Sequence, residues 1–123
     1  MKNLFDFVDA VLDEGIAVYN IVTGEGITSG FCVSESGHTD LIGLFGNETT
    51  RMILVHSFVR EFISKNGLIL SDANYSLEGR CNKSMFVLDV VKVYDSRRVA
   101  EKIAVENNQA SYLDIFNNEF VDV

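Results

Sequence analysis

The segment from Met85 to Tyr94 restricts the fold more than any other part of this chain. Its residues are apolar almost without interruption, which is typical of a strand that lies inside a sheet and is covered on both faces. A chain with such a strand needs other strands beside it and further elements packed on its faces. The segment therefore predicts a layered fold with a sheet at its centre.

Asp89 interrupts this apolar strand. A buried carboxylate costs several kcal/mol unless it is paired or hydrogen-bonded. We expect Asp89 either to occupy an exposed position or to meet a partner such as Arg97, Arg98 or the Gln109 amide. A structural role for Asp89 and Gln109 is favoured over a functional one.

Three segments have apolar residues at intervals of three and four, the spacing of one helix face. They are residues 3–13, 48–65 and 97–107. Asn3 is a suitable N-cap of the first helix, Asn47 or Thr49 of the second and Asp95-Ser96 of the third, and Gly15 is a natural stop for the first helix. On that helix the predicted buried face comprises Leu4, Phe5, Val8, Val11 and Leu12. Its acidic residues are predicted to face solvent.

Strand-like runs alternate with these helices. They span residues 16–22, 27–33, 41–45, 68–70, 75–81, 85–94, 110–116 and 119–123, with a loop predicted at 34–40. The predicted order is α-β-β-β-α-β-β-β-α-β-β. Short turns join most of the strands, so we expect a single α+β domain over residues 1–123, with a largely antiparallel sheet and three helices packed on it.

Charge is distributed unevenly along the chain. Residues 1–50 contain eight acidic residues and one basic residue, whereas residues 51–102 contain nine basic and six acidic residues. Residues 103–123 contain four acidic residues and no basic one. This balance argues against direct nucleic-acid binding, which needs lysine and arginine to displace counterions. An acidic surface is instead suited to a basic partner.

No pattern in the sequence predicts catalytic residues, a metal site or a cofactor. Cys32, His38 and Asp40 lie close together, but a closed zinc site needs four ligands with characteristic spacing. A nucleophile pair of Cys81 with His38, or of Cys32 with His56, stays open, because such partners meet in space and not in sequence.

The chain has no apolar run long enough for a membrane span and no signal-peptide pattern at its start. Its two cysteines lie far apart, so we expect two reduced thiols. These features predict a soluble, cytoplasmic protein.

Four short runs resemble a pattern found in small accessory proteins of bacteriophages and other mobile elements. The runs are Tyr75-Ser-Leu-Glu-Gly79, Phe86-Val-Leu-Asp89-Val-Val, Asp95-Ser-Arg-Arg-Val-Ala-Glu101 and Asn107-Asn-Gln109-Ala-Ser-Tyr112-Leu-Asp114. The similarity covers residues 75–118. The chain departs from the pattern by lacking a tryptophan near Tyr75 and by having Ser111 before Tyr112. The resemblance implies an origin in a phage or mobile element, and no site residues.

Three functions are compatible with these observations. The preferred one is a non-enzymatic binding protein that inhibits or modulates a host system, for instance a defence system, through an acidic surface. That surface would comprise Asp6, Asp9, Asp13, Glu14 and Glu25, and it would face a host protein with a basic surface. A second is a small-molecule or nucleotide binder that holds a phosphate with Arg80, Lys83, Arg97 and Arg98. A third is a small enzyme that uses cysteine or histidine. Self-association through a sheet edge is compatible with each.

Overall fold

The computed structural model describes residues 3–123. Within them it has four helices and seven strands, in the order α1 Leu4–Glu14, β1 Ile16–Asn20, β2 Glu25–Gly26, β3 Phe31–Gly43, α2 Glu48–Lys65, α3 Gly67–Leu70, β4 Tyr75–Cys81, β5 Met85–Tyr94, α4 Arg97–Glu106, β6 Ser111–Asp114 and β7 Glu119–Asp122. The side chains of Asn3, Asn47 and Ser96 cap α1, α2 and α4, because each accepts a hydrogen bond from a backbone N–H of the first turn.

All seven strands form one antiparallel sheet in the order β2-β1-β4-β5-β3-β6-β7. The predicted α+β class is therefore confirmed. β5 lies at the centre of this sheet, and Phe86, Leu88, Val90 and Val91 on it are fully buried. The run of apolar residues in this strand reflects its central position, with side chains buried on both faces of the sheet.

Helices α1 and α2 pack on one face of the sheet and bury the largest apolar cluster. The cluster joins Phe7, Val8 and Val11 of α1 to Val55, Phe58, Val59 and Phe62 of α2 and to apolar residues of β4 and β5. Helix α1 approaches β4 closely at Gly79. A Cβ atom at that position would lie 2.8 Å from Val11 Cγ2 and 2.9 Å from Phe7 Cζ, so only glycine allows this packing distance.

Helix α4 covers the other end of the same face. Its Ala100 and Ala104 are fully buried against Val33 of β3 and Tyr112 of β6. Because alanine side chains are short, the helix axis can approach the sheet closely.

The opposite face of the sheet is concave. Three strands separate β4 from β7, yet the Arg80 guanidinium carbon on β4 lies 5.2 Å from the centre of the Phe120 ring on β7. The concave face contains a second apolar cluster of Val18, Cys32, Val91 and Leu113. The strong curl therefore brings distant strands of the sheet together around this cluster.

Three segments differ from the prediction. The strand predicted over residues 27–33 is not formed at 27–30, because β2 comprises Glu25–Gly26 and β3 begins at Phe31, after Gly30 with its positive φ of 100°. Residues 34–40 do not form a loop between two short strands, because β3 runs from Phe31 to Gly43 and pairs with β5 on both sides of a register shift between Ser34 and Thr39. The polar composition of this segment suggested a loop, but Ser34, Thr39 and Asp40 pair with β5, and the residues between Ser34 and Thr39 form the irregular part of one strand. Residues 68–70 are not a strand. They belong to α3, which continues from α2 through the hydrogen bond from Leu70 N–H to the Asn66 carbonyl.

Candidate functional site

One side of α1 presents an exposed aromatic ring in line with two carboxylates. Phe5 is 68% exposed, and Asp9 and Asp13 follow it at intervals of four residues, which places the three on one line along the helix. The buried face of α1 is centred on Phe7, Val8 and Val11, so Phe5 lies beside that face and not in it. The prediction that Phe5 is buried is therefore wrong. We call Phe5, Asp9 and Asp13 the α1 stripe.

The ring of Phe5 borders a small depression between α1 and α2. Its centre lies 5.4 Å from the centre of the His56 ring on α2. The depression has a volume of about 170 Å³ and is lined by Leu4, Phe5, His56, Val59 and Arg60. Small-molecule sites usually have volumes of about 300–1,000 Å³. This depression is therefore suited to a single side chain of a partner and not to a whole ligand.

The exposed carboxylates of α1 and β2 are not neutralised within the molecule. Asp9, Asp13, Glu14 and Glu25 form no salt bridge with any residue of the described range 3–123. Asp13 and Glu14 lie in the last turn of α1, which contains no basic residue. Carboxylates at a helix C-terminus face the negative end of the helix dipole and cost stability. The position of Asp13 and Glu14 therefore lowers the stability of the folded protein.

Asp6 and Glu25, which were also predicted for the partner surface, have surroundings that differ from those of Asp9, Asp13 and Glu14. Asp6 lies in the first turn of α1, where its backbone N–H donates to Asn3 Oδ1 over 2.9 Å and a negative charge is favourable. Glu25 lies on β2, the short strand at one edge of the sheet. Glu25 is therefore separate from the α1 stripe, which is the part of the predicted surface that combines carboxylates with an aromatic ring.

The four bases of the predicted phosphate site are not gathered in one place, although Arg97 and Arg98 line the same depression on α4. Arg80 Nη1 lies 3.2 Å from Glu78 Oε1 and 3.3 Å from Asp89 Oδ2. Arg97 Nη2 donates to Asp114 Oδ2 over 2.9 Å, and its guanidinium carbon lies 5.1 Å from the centre of the Phe31 ring. Arg98 is exposed on α4, and Lys83 is exposed in the turn between β4 and β5.

A buried polar cluster occupies the concave face next to Arg80. Glu78 of β4 and Asp89 of β5 are each only 2% exposed and are direct neighbours across the two strands. Burial and the charge of Asp89 raise the pKa of Glu78 from 4.5 to about 7, although Arg80 opposes this. Two carboxyls thus share one guanidinium, and a proton on Glu78 relieves their repulsion near neutral pH.

The hydroxyl groups of β3 complete the hydrogen bonds of Asp89. Ser34 Oγ donates to Asp89 Oδ2 over 3.4 Å, and Thr39 Oγ1 donates to Asp89 Oδ1. The expected partners Arg97 and Arg98 are not used, because Arg97 binds Asp114 instead. The Gln109 amide comes close but donates to the backbone carbonyl of Ser34. Asp89 is therefore a buried structural residue whose principal base is Arg80.

The cysteines and histidines do not form either of the nucleophile pairs considered above. Cys32 lies on the concave face, where its thiol donates to Glu78 Oε2 over 3.9 Å, whereas His56 packs on Phe5 on the side of the helices. His38 Nδ1 lies 2.7 Å from Asn66 Oδ1, away from Cys81, whose thiol donates to the Asn82 carbonyl.

Neither thiol is activated by its surroundings. Burial, with the nearby carboxyls of Glu78 and Asp89, raises the pKa of Cys32 well above its usual value. Burial also raises the pKa of Cys81. A nucleophilic cysteine needs the opposite shift.

The side chains considered for a metal are also separated. Asp40 Oδ2 binds Lys65 Nζ over 3.3 Å, while Cys32 and His38 have the partners described above. Within residues 3–123, no group of three His, Cys, Asp or Glu side chains is placed to hold a metal ion.

Sequence reasoning missed Glu78 and the exposed ring of Phe5. Glu78 occupies a polar position in an alternating strand, and such a position usually faces water. Only the curl of the sheet, which brings β7 over this face, buries it. For Phe5 the signal was present but ambiguous, because Phe5 and Phe7 are both compatible with an apolar face that includes Val8 and Val11.

Comparison with protein-family models, with curated proteins and with solved structures finds no match to this chain. In the described part of the chain, no helix has both the length and the apolar character needed to cross a membrane. Function is therefore inferred from the residues and their geometry.

Proposed function

We propose that this chain is a non-enzymatic binding protein that inhibits or modulates a host system, for instance a defence system. Its partner is a host protein with a basic surface, and the two meet in the host cytoplasm. The origin in a phage or mobile element is supported by the resemblance of residues 75–118. The binding role is supported by the α1 stripe.

The observation that carries this proposal is that the α1 stripe lies outside the buried face of α1 and is largely exposed. The Phe5 side chain is 68% exposed, although burial of a phenylalanine stabilises a protein by about 1.5–3 kcal/mol. Asp13 lies at the unfavourable end of the helix dipole without a basic neighbour in its turn. Aromatic rings are enriched at contact surfaces, and exposed charges around them steer a partner of opposite charge.

The charge pattern supports a basic partner. Exposed acidic residues attract a positively charged surface and accelerate its association at low ionic strength. The depression of about 170 Å³ beside Phe5 can then take one apolar or aliphatic side chain of that partner. Phe5 would supply most of the contact energy, and Asp9, Asp13 and Glu14 would supply attraction and orientation.

Partner capture from host lysate with matched variants tests the proposal. The first variant neutralises α1 through Asp9→Asn, Asp13→Asn and Glu14→Gln. The control neutralises the same number of exposed acids around α4 through Asp95→Asn, Glu101→Gln and Glu106→Gln, so both variants have the same net charge. A third variant, Phe5→Ala, removes the ring alone.

We expect the wild type and the α4 control to retain the same protein at low salt, quantified by mass spectrometry. The α1 variant and Phe5→Ala should lose it. Equal loss from both neutralised variants would show that the capture is unspecific charge attraction. Capture of no protein at low salt would also contradict the proposal.

A further inference from the structure

Among the described residues, two stretches of the sheet leave an edge long enough to accept another strand. They are β7 and the part of β3 from Thr39 to Gly43, which pairs with β5 but not with β6. The carboxylate of the second stretch, Asp40, is paired with Lys65, so β7 is the edge whose acidic side chains have no salt bridge. At one end, β2 comprises only two residues, whereas β7 at the other end comprises Glu119–Asp122. Many proteins protect an exposed edge with lysine, proline or a bulge. The segment 119–123 contains no lysine and no proline, and its pairing with β6 has a continuous register.

The free backbone groups of β7 can be assigned from its pairing with β6. The N–H of Val123 donates to the Ala110 carbonyl over 3.1 Å. Because successive residues of an antiparallel strand direct their N–H and C=O groups to alternate sides, Val121 and Glu119 also face β6. Phe120 and Asp122 therefore direct their backbone groups outward, where an incoming strand can reach them.

The side chains of this edge favour a basic partner over a second copy of the chain. Glu119 and Asp122 lie on β7, and residues 103–123 contain no lysine or arginine. Two copies paired at this edge would bring these carboxylates together in one ribbon with no base between them. A strand with lysine or arginine would instead neutralise them. Phe116 and Val123, which are 79% and 45% exposed, supply apolar contact area beside the edge.

We infer that β7 binds an extended basic segment of the partner protein, which adds to the sheet as a further antiparallel strand. This inference rests on the proposed function, since it assigns a second contact to the same partner. The α1 stripe and the β7 edge are separate surfaces, so each can be inactivated without the other.

Proline provides a specific block at this edge. Asp122→Pro removes an outward N–H and leaves the hydrogen bonds between β6 and β7 intact, and proline is tolerated at such edge positions. Asp122→Ala is the matched control, because it also removes the carboxylate but keeps the N–H. Comparison of the two variants separates strand addition from charge attraction.

The probe is a short labelled peptide in which lysine and valine alternate. A second peptide of the same sequence carries an N-methyl group on every amide, so it keeps the charge but has no N–H on either edge with which to pair with a strand. We expect the wild type to bind only the first peptide in a fluorescence anisotropy titration. Asp122→Ala should bind it more weakly, and Asp122→Pro should lose about a further tenfold in affinity.

Amide hydrogen exchange on the wild type gives a second readout that does not depend on the folding of a variant. The peptide should slow exchange at Phe120 and Asp122, while Val121, already bonded to β6, should change little. Equal binding of the two peptides, equal affinity of the two Asp122 variants, or protection confined to other segments would overturn the inference. A wild-type dimer that Asp122→Pro dissociates would assign the edge to a second copy instead.

The two proposals fail separately. The neutralised α1 variant should still bind the lysine–valine peptide, because β7 is unchanged. If that peptide does not bind while α1-dependent capture persists, only the edge inference is wrong. If the peptide binds while capture does not depend on α1, the proposed function is wrong.

Discussion

Glu78 and Asp89 lie directly opposite each other on β4 and β5, and both are bound by Arg80 Nη1. Two carboxyls with one guanidinium leave an excess negative charge in a buried place. Burial and the charge of Asp89 raise the pKa of Glu78 to about 7, so that protonation of Glu78 removes this excess charge. The interior of the curled sheet is therefore sensitive to pH.

Stability should fall as the pH rises through the range in which Glu78 loses its proton. The unfolded carboxyl releases its proton near 4.5 and the folded one near 7, so the folded state binds more protons between these values. The contribution of Glu78 is fully present below pH 4.5 and is lost through pH 7, with a total of about 3 kcal/mol.

Urea unfolding of the wild type and Glu78→Gln over this pH range measures the effect. As the pH rises, the free energy of unfolding of the wild type should fall relative to that of Glu78→Gln by about 3 kcal/mol. Exposed Glu61→Gln is the control and should follow the wild type. A pH-independent difference for Glu78→Gln would contradict the raised pKa.

Replacement of Arg80 by methionine should destabilise the protein because it leaves two buried carboxyls without their base. Breaking a fully buried ion pair costs about 3–5 kcal/mol. Since 35% of the Arg80 side chain is exposed, we expect a smaller loss of about 2 kcal/mol at neutral pH. Addition of Glu78→Gln should restore part of it. Arg98→Met on exposed α4 is the control. If both variants lose the same free energy of unfolding, Arg80 does not stabilise the protein through the two buried carboxyls.

Gly79→Ala should lower the free energy of unfolding by about 1–3 kcal/mol. The added methyl group would meet Val11 Cγ2 at 2.8 Å and Phe7 Cζ at 2.9 Å, and both side chains are held in the buried face of α1. Gly67→Ala is the matched control, because a Cβ there has no neighbour within 4 Å. Thermal unfolding compares the two, and similar midpoints would show that α1 can move away from β4.

Asp13→Lys should stabilise the folded protein while it weakens partner binding. A positive charge in the last turn of α1 interacts favourably with the helix dipole, which gives about 0.5 kcal/mol. Asp9 lies further from the helix end, so Asp9→Lys should change the stability less than Asp13→Lys does. It should weaken partner binding as much as Asp13→Lys does. Chemical denaturation measures the first effect and partner capture the second. A destabilised Asp13→Lys would mean that the aspartate supports the fold.

The two cysteines should react with a thiol reagent at different rates. Cys32 is 2% exposed and its pKa is raised well above the usual value, whereas Cys81 is partly exposed and its pKa is raised as well. We expect Cys81 to react slowly in the native protein and Cys32 to react only after unfolding. Cys81→Ser should abolish the native reaction. Rapid labelling of Cys32 would show that the concave face opens.

The elements that the sequence determined by itself are those whose signals are local. Helices α1, α2 and α4 follow from periodicity and from the caps Asn3, Asn47 and Ser96, and the buried strand β5 follows from its apolar run. Each signal lies within a few residues of the element that it defines. The acidic character of α1 could be derived in the same way, which is why Asp9 and Asp13 were placed on its exposed side.

The tertiary structure alone decided the features that depend on residues distant in the sequence, namely strand pairing, burial and salt-bridge partners. Residues 34–40 belong to β3 because β5 pairs with Ser34, Thr39 and Asp40. Glu78 is buried on the concave face, where the curl brings Phe120 of β7 against the neighbouring Arg80. Asp89 pairs with Arg80 because the pairing of β4 with β5 places them side by side. Phe5 is exposed because the packing of α1 on Gly79 turns Phe7 inward. Burial and pairing are properties of the whole sheet, and no local pattern in the chain contains them.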